Sequence, residues 1–516
     1  MPAQRQQAQR TRPRSEWPRL GLAALLSALA GCANYIGVRP LQPVAQPDAF
    51  QTAHSLAGSS GDWPDADWVK RFGDPQLVTL TEEALAHNLD LQAASARITA
   101  AQAQADAARG ALLPSAAMAV TANRSYLKQD LKLQTPVGPT QASSSWSNQV
   151  QTLVGFNYEL DLWGKNHATL AKAVSQGKAA EAEAQQARLT LTAALASTYN
   201  QLAEQYASRD LVEQLGRQRG ALAALADRRL KSGLDNQIDQ SEAGESLAEA
   251  HLQLAQLDEQ IALTRQQIGA LMGEGPDRGL SITRPRLANL PTPPLPANIS
   301  FNLLGRRPDV VAARWKVEAA SSQVAVAKAE FYPNIDLSGF AGYASFGLSD
   351  VSKSYIKGFG LGPAISLPVF AGGTLNANLK GQMAQYDSAV ASYNQTLNGA
   401  LADVANQITS LRASDLQMQS QTQALQESRR TFDLVRQRHD AGLASDQMLA
   451  NAQIALLAVQ QRSADLDARR RGLQIALIKS LGGGFDAQTA GLTMLPPEPA
   501  DRHWDFRPHR VDQGTK

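Results

Sequence analysis

The chain is written twice. Asp90-Leu91-Gln92-Ala93-Ala94 aligns without a gap on Asp309-Val310-Val311-Ala312-Ala313. The same offset of 219 sets Arg97 on Lys316, Ile98 on Val317, Gln104 on Gln323, Arg109 on Lys328 and Pro114 on Pro333. Further on, Leu160 to Gly164 falls on Leu367 to Ala371, with Trp163 on Phe370, at an offset of 207. Gly233-Leu234 then falls on Gly442-Leu443, and Leu271-Met272-Gly273 on Ser480-Leu481-Gly482, both at 209. Landmarks in one order and at near-constant spacing mean two copies of a unit of about 200 residues. Whatever one copy builds, the other must build again.

Each copy begins with a helix (76–113, then 305–332) that a proline ends, Pro114 in the first and Pro333 in the second. Two strand-like stretches follow (about 115–163 and 334–371). After them comes a helical hairpin (about 166–272 and 374–481) folded at its Gly-Leu turn. The first repeat therefore spans 76–284 and the second 305–482, joined by the proline-rich linker 285–304. Residues 32–75 and 483–516 flank them, and the tail after Leu495 is polar with several prolines.

The first arm of each hairpin reads as one helix of 67 or 68 residues (166–232 and 374–441), about 100 Å long at about 1.5 Å per residue. In the second arm Leu379, Met383, Tyr386, Val390, Tyr393, Leu397, Leu401, Val404, Ile408 and Leu411 recur at steps of three and four. That is a coiled-coil seam, with one extra four-step between Tyr393 and Leu401 that locally unwinds it. Such a stripe is helix-to-helix core and not a ligand box. The aromatic content of 6% fits this elongated body better than a thick globular core.

The strands alternate. Val150, Thr152, Val154, Phe156, Tyr158, Leu160 and Leu162 are largely apolar, whereas Gln149, Gln151, Gly155, Asn157, Glu159 and Asp161 are small or polar. The second copy sets Phe359, Leu361, Ile365, Leu367 and Val369 against Gly360, Gly362, Ala364 and Ser366. Such ribbons have one oily and one wet face. A half-buried strand of a soluble sheet alternates identically, so the ribbons alone do not decide. Gly358-Phe359-Gly360-Leu361-Gly362 lies inside this alternation, so it is a structural run and not a nucleotide loop.

The N-terminus shifts the balance. An arginine-rich stretch precedes the apolar run Leu20 to Ala30, which as a helix covers about 16 Å, half a bilayer core. It reads as a signal peptide, 1–31, and not as a membrane span. Leu29-Ala30-Gly31-Cys32 reads as a lipobox, and Cys32 is the only cysteine, so no internal disulfide can form. In bacterial lipoproteins this pattern places cleavage before the cysteine and acyl chains on it, at about 0.8 kcal/mol per buried CH₂. A lone cysteine is more often a small buried hydrophobe, but here it ends a signal. Ala33, not an aspartate, follows it, as in lipoproteins sent to the outer membrane of Gram-negative bacteria.

Charge gives no argument for a nucleic-acid partner. Lysine plus arginine number 49 against 47 acids. Removing 1–31 takes Arg5, Arg10, Arg12, Arg14, Arg19 and Glu16, leaving 44 against 46, a net of −2 with no basic field. No later stretch is apolar for eighteen residues, so any further crossing falls to β-strands. Four strands cannot close a membrane barrel, and an open edge in lipid leaves backbone groups unpaired at several kcal/mol each. Pooling strands from three chains gives about twelve, enough for an aqueous lumen.

These residues resemble the outer-membrane efflux factors, the TolC-like family, and its lipoprotein branch of NodT and OprM type. The resemblance is carried by Leu29 to Cys32, Tyr158-Glu159-Leu160-Asp161-Leu162-Trp163-Gly164-Lys165, Arg306-Arg307-Pro308-Asp309-Val310, Phe331-Tyr332-Pro333 and Leu481-Gly482-Gly483. It spans nearly the whole chain in order. It implies a mainly α fold with membrane β: an internally duplicated TolC-like homotrimer with a twelve-stranded β-barrel, a long periplasmic α-helical barrel and a mixed equatorial domain. Segments 32–75 and 483–516 would belong to that equatorial layer. The implied function is the passive exit duct of a tripartite efflux pump for drugs, metal ions or other small molecules. The implied partners are a periplasmic adaptor, an inner-membrane pump of the resistance–nodulation–division type and outer-membrane lipid.

The family closes its periplasmic end with acidic rings six and nine residues past each turn glycine. From Gly233 these positions are Asp239 and Glu242; from Gly442 they are Met448 and Asn451, with Asp446 the nearest acid. The aperture candidates are therefore Asp239, Glu242, Asp446 and Asn451. The plainer reading is that such acids merely favour a helix N-terminus. Nothing supports an enzyme, a cofactor beyond the lipid on Cys32, or a metal site: the seven histidines form no His-Glu-x-x-His and no Cys-His cluster. Three other readings compete. A type I protein-secretion exit duct stays within the family. A periplasmic adaptor would carry one hairpin rather than two. A structural coiled-coil lipoprotein would not need ribbons between its helices.

Overall fold

A computed structural model describes residues 38–46, 49–52, 54–56, 61–127, 132–135, 138–141, 145–291, 294–346 and 356–493. The signal peptide 1–31, Cys32 and the tail after Thr493 lie outside the described residues. The first copy runs α1 (Pro75–His87), α2 (Leu89–Gly110), β1 (Ser115–Leu127), the short ribbon β2 (Lys132–Thr135) and β3 (Gly138–Gln141), then β4 (Ser145–Glu159), α3 (Lys165–Lys231) and α4 (Gln237–Leu271). After the single turn α5 (Pro276–Leu280), the second copy runs α6 (Ile299–Arg306), α7 (Pro308–Ala329), β5 (Asn334–Phe346), β6 (Ile356–Ser366), α8 (Thr374–Asp440) and α9 (Asp446–Ser480).

The opening helix of each copy, read from the sequence as continuous, is broken. In the first copy Asn88 turns out of the helix (φ −61, ψ 129). Its Oδ1 accepts from the N–H of Asp90 at 2.9 Å and of Leu91 at 3.1 Å, capping the next helix. In the second copy Arg307 precedes Pro308, and the proline ring forces it extended (φ −107, ψ 117). The helix beyond also ends short, at Gly110 and at Ala329, before Pro114 and Pro333 are reached. Two positions 219 apart make the same break by different chemistry.

The long arms α3 and α8 are 67 residues each. Along α8 the seam residues Leu379, Met383, Val390, Tyr393, Leu397, Leu401, Val404, Ile408 and Leu411 are buried, and Tyr386 is partly so. Burial then stops. No residue of Arg209–Lys231 or of Asp415–Asp440 is buried, so the turn-proximal third of both long arms is unfinished in a single chain. The finished end holds the core: Trp68, Phe72, Leu77 and Leu80 pack on Leu195, Tyr199 and Leu202 of α3 and on Ile268 and Met272. Tyr199 donates to Asp74 Oδ2 at 2.7 Å, and Gln76 Nε2 donates to the Tyr199 hydroxyl at 2.7 Å. Burial first, then that carboxylate, push the phenol well above its usual range.

Between the copies, buried Arg471 donates to Asn200 Oδ1 at 2.7 Å and to Asn289 Oδ1 at 2.6 Å. The proline-rich linker is pinned by Gln474 Nε2 on the Leu290 carbonyl at 2.9 Å, and its final part already forms α6. Both described ends of the chain dock on the second copy. Leu41 N donates to Asp387 Oδ1 at 2.9 Å, and Trp315 Nε1 donates to the Leu492 carbonyl at 3.2 Å. Gly273 and Gly482 show why each hairpin ends on glycine. A Cβ on Gly273 would lie 2.6 Å from the His87 carbonyl oxygen, and one on Gly482 would collide with that of Arg306.

Candidate channel wall and hairpin turns

The sheet order is β1-β4-β5-β6, antiparallel throughout, with β1 and β6 as open edges. The alternation read from the sequence overran the strands, because Leu160, Leu162, Leu367 and Val369 lie past the sheet ends at Glu159 and Ser366. Directly opposite residues share a face. One row joins Met118, Val154, Ala341 and Phe359; the next joins Ala116, Phe156, Gly339 and Leu361. This face is oily and uncovered, with Phe359 90% exposed. The opposite face carries Asn123, Gln149, Gln151, Asn157, Glu159, Ser338, Gly358 and Gly360. Phe340 breaks the pattern on the wet side, but it lies across Gly360, where an added Cβ would come 2.8 Å from its ring.

Aromatic rings bracket the oily face. At the loop end Tyr126 and Trp146 stand 5.2 Å apart, with the Arg124 guanidinium 4.7 Å above the Trp146 ring. At the helix end Trp163 stacks on Tyr332 at 4.8 Å and donates from Nε1 to the Pro333 carbonyl at 2.7 Å. Amphipathic rings at both borders of an apolar band are the arrangement of membrane strands. No described helix is long and apolar enough to cross a membrane.

At the far end, α3 closes on Gly233 (φ 69), with Leu234 N donating to the Arg229 carbonyl at 2.8 Å. The second turn repeats this, with Gly442 (φ 73) and Leu443 N on the Arg438 carbonyl at 2.7 Å. This is the Schellman closure, which needs a left-handed residue. Its apolar follower faces solvent here, Leu234 at 68% and Leu443 at 69%. Both following helices are capped, α4 by Asn236 on the N–H of Ile238 and Asp239 and α9 by Ser445 on that of Met448.

The aperture candidates divide. Asp239 and Glu242 are exposed, one helical turn apart; neither carboxylate makes a hydrogen bond or close ion pair among the described residues, although Asp239 feels the Arg229 guanidinium across the turn. Asn451 is exposed. Asp446 is not a free acid: it accepts from His439 Nε2 at 2.8 Å across the turn. The first copy carries its own latch, Arg229 to Asp235, at 2.7 Å. The Arg229 hydrogen bond holds the Asp235 carboxyl below the usual range. Sequence reading missed both latches, whose only signal is a cation before each turn glycine and an acid shortly after it. Among the described residues no group of acids, histidines or cysteines could hold a metal ion.

The model of the outer membrane efflux protein family matches residues 80–274 and again 300–483, one match per copy. The chain belongs to that family. The fusaric acid resistance protein FusA of Burkholderia cepacia is 37% identical over 369 residues, covering 70% of this chain and 68% of that protein. The multidrug resistance outer membrane protein MdtP of Escherichia coli K12 is 30% identical over 475 residues, covering 91% and 97%. The crystal structure of VceC from Vibrio cholerae superposes with a TM-score of 0.73 at 36% identity, over 82% of this chain and 100% of that one. The outer-membrane channel OprN superposes at 0.74 and 27% identity, over 86% and 97%. This outer membrane efflux protein is therefore a TolC-like channel and not an enzyme. Its place is the outer membrane, as its relatives' names and family state.

Proposed function

We propose that three copies form a continuous exit duct, receiving small-molecule cargo from an inner-membrane pump through a periplasmic adaptor and releasing it outside. The observation that carries this is the four-stranded sheet with an oily face and two open edges. Such edges are intolerable in lipid unless another copy pairs with them. The unfinished hairpin ends need the same neighbours, since many of their apolar positions are only partly covered within one chain. The cargo follows relatives named for resistance to fusaric acid and to multiple drugs, so small amphipathic toxins are the class to test first. Cys32 carries the lipid anchor.

Light scattering of the detergent-solubilised protein, corrected for bound detergent, should give three chains per particle; a stable monomer would sink the duct. Asp239 and Glu242 of three copies would ring the closed end with six carboxylates and draw cations. Asp446 adds little, because His439 already answers its charge. Bilayer conductance of the Asp239→Asn, Glu242→Gln double variant should lose cation preference, and an unchanged preference would clear these acids of the gate.

A further inference from the structure

The four barrel strands contain two cations and two carboxylates, and they are fully sorted. Glu159 and Asp336 stand on the wet face, whereas Arg124 and Lys357 stand on the oily one, Arg124 opposite Asn148 and Lys357 opposite Tyr343. Both cations are exposed, and neither has a carboxylate partner among the described residues. Charge on a lipid-facing surface is costly at the bilayer midplane and tolerated only near its borders.

Their levels coincide. One hydrogen-bonded row joins Ser115, Asn157, Ser338 and Gly362. From that row β1 extends outward to Leu127, but β6 only to Ile356, while β6 extends four residues further toward the helices, to Ser366. The sheet is thus staggered, as strands tilted in a barrel must be. Measured from the helix end of its own strand, Arg124 lies nine residues past Ser115, and Lys357 lies nine before Ser366. Nine residues at about 3.3 Å and about 40° of tilt rise about 23 Å, close to the ~25 Å apolar band. Both cations therefore sit at the outer border of the membrane, where Arg124 lies over the Trp146 ring.

They also occupy the two edge strands, β1 and β6. In the proposed trimer β6 of one copy meets β1 of the next, which brings Lys357 and Arg124 together as direct or diagonal neighbours. We infer that each of the three seams is a binding site for the phosphorylated headgroup of an outer-leaflet glycolipid. The guanidinium, fixed over the Trp146 ring, supplies a planar fork for phosphate, and the ammonium supplies a second point charge. The apolar row below receives the acyl chains. This inference rests on the trimeric reading.

The test uses the purified trimer in nanodiscs, with bis-phosphorylated lipid A titrated in and bound lipid counted by native mass spectrometry. Up to three lipids should bind per trimer. Fully dephosphorylated lipid A should bind weakly, and anionic phosphatidylglycerol, with one phosphate and two acyl chains, should bind less tightly than lipid A. Arg124→Gln with Lys357→Gln should weaken lipid A binding about 25-fold, roughly five-fold per cation, with the trimer mass unchanged. Arg124→Lys with Lys357→Arg should restore it. Equal binding by the double-Gln variant, or by the dephosphorylated lipid, would overturn the seam site while leaving the trimer standing. A monomeric particle would instead remove the reading beneath it.

Discussion

His439 stands at the second hairpin turn with Nε2 2.8 Å from Asp446 and Nδ1 3.6 Å from Asp440. The hydrogen bond to Asp446 is the main cause that raises its pKa above the ordinary 6.5. A group raised on folding lends its stability below the unfolded value and loses it as pH climbs through the folded one. The latch should therefore be complete below about pH 6.5 and open as the medium turns alkaline. Hydrogen exchange of the turn, corrected for intrinsic rate, should show protection falling from pH 6 to pH 8.5. Asp446→Asn should flatten that dependence; an identical profile in the variant would mean the pair holds nothing. At this scale the sequence was only partly legible. Asp446 could be seen as an acid near the turn glycine, but its partner seven residues before the helix start depends on how the turn folds back. Asp239 and Glu242 needed only helical spacing, so their shared orientation was readable.

Elements were more legible than residues because hydrophobic period survives any tertiary context. The steps of three and four along α8 mark the residues that the fold buries along its seam. What period does not encode is where an element yields. The breaks at Asn88 and Arg307 come from a side-chain cap and from a proline acting one residue upstream, and the alternation ran past Glu159 because apolar residues continue after the ladder ends. The seam also separates two kinds of leucine. Leu397 is fully buried within the chain, whereas Leu416 is 66% exposed in the part of the hairpin where burial has ceased. Leu397→Ala should destabilise the folded protomer by about 2–5 kcal/mol, read from denaturant melts. Leu416→Ala should leave the protomer's melting unchanged and lower the temperature at which the trimer dissociates. Equal effects of the two on the protomer would mean that Leu416 is already packed within one chain.

The molecule as a whole is defined by what one copy leaves undone: two sheet edges, an oily face and two half-covered hairpins. Duplication predicted this economy, since each repeat supplies only two long strands and one hairpin. Closure had to come from copies. The same reasoning ranks the two attachments to the membrane. The proposed acyl anchor on Cys32 would contribute about 0.8 kcal/mol per buried CH₂. The barrel buries a whole apolar belt and, once closed, cannot leave without exposing its backbone edges to lipid. Cys32→Ser, exported behind an ordinary cleavable signal, should lose palmitate labelling completely yet stay with the outer membrane through a carbonate wash as a trimer. Release of that variant into the soluble periplasmic fraction would mean that the lipid holds the protein and that the sheet is not a membrane wall. Retention of palmitate by the variant would place the lipid on another residue and remove Cys32 from the account.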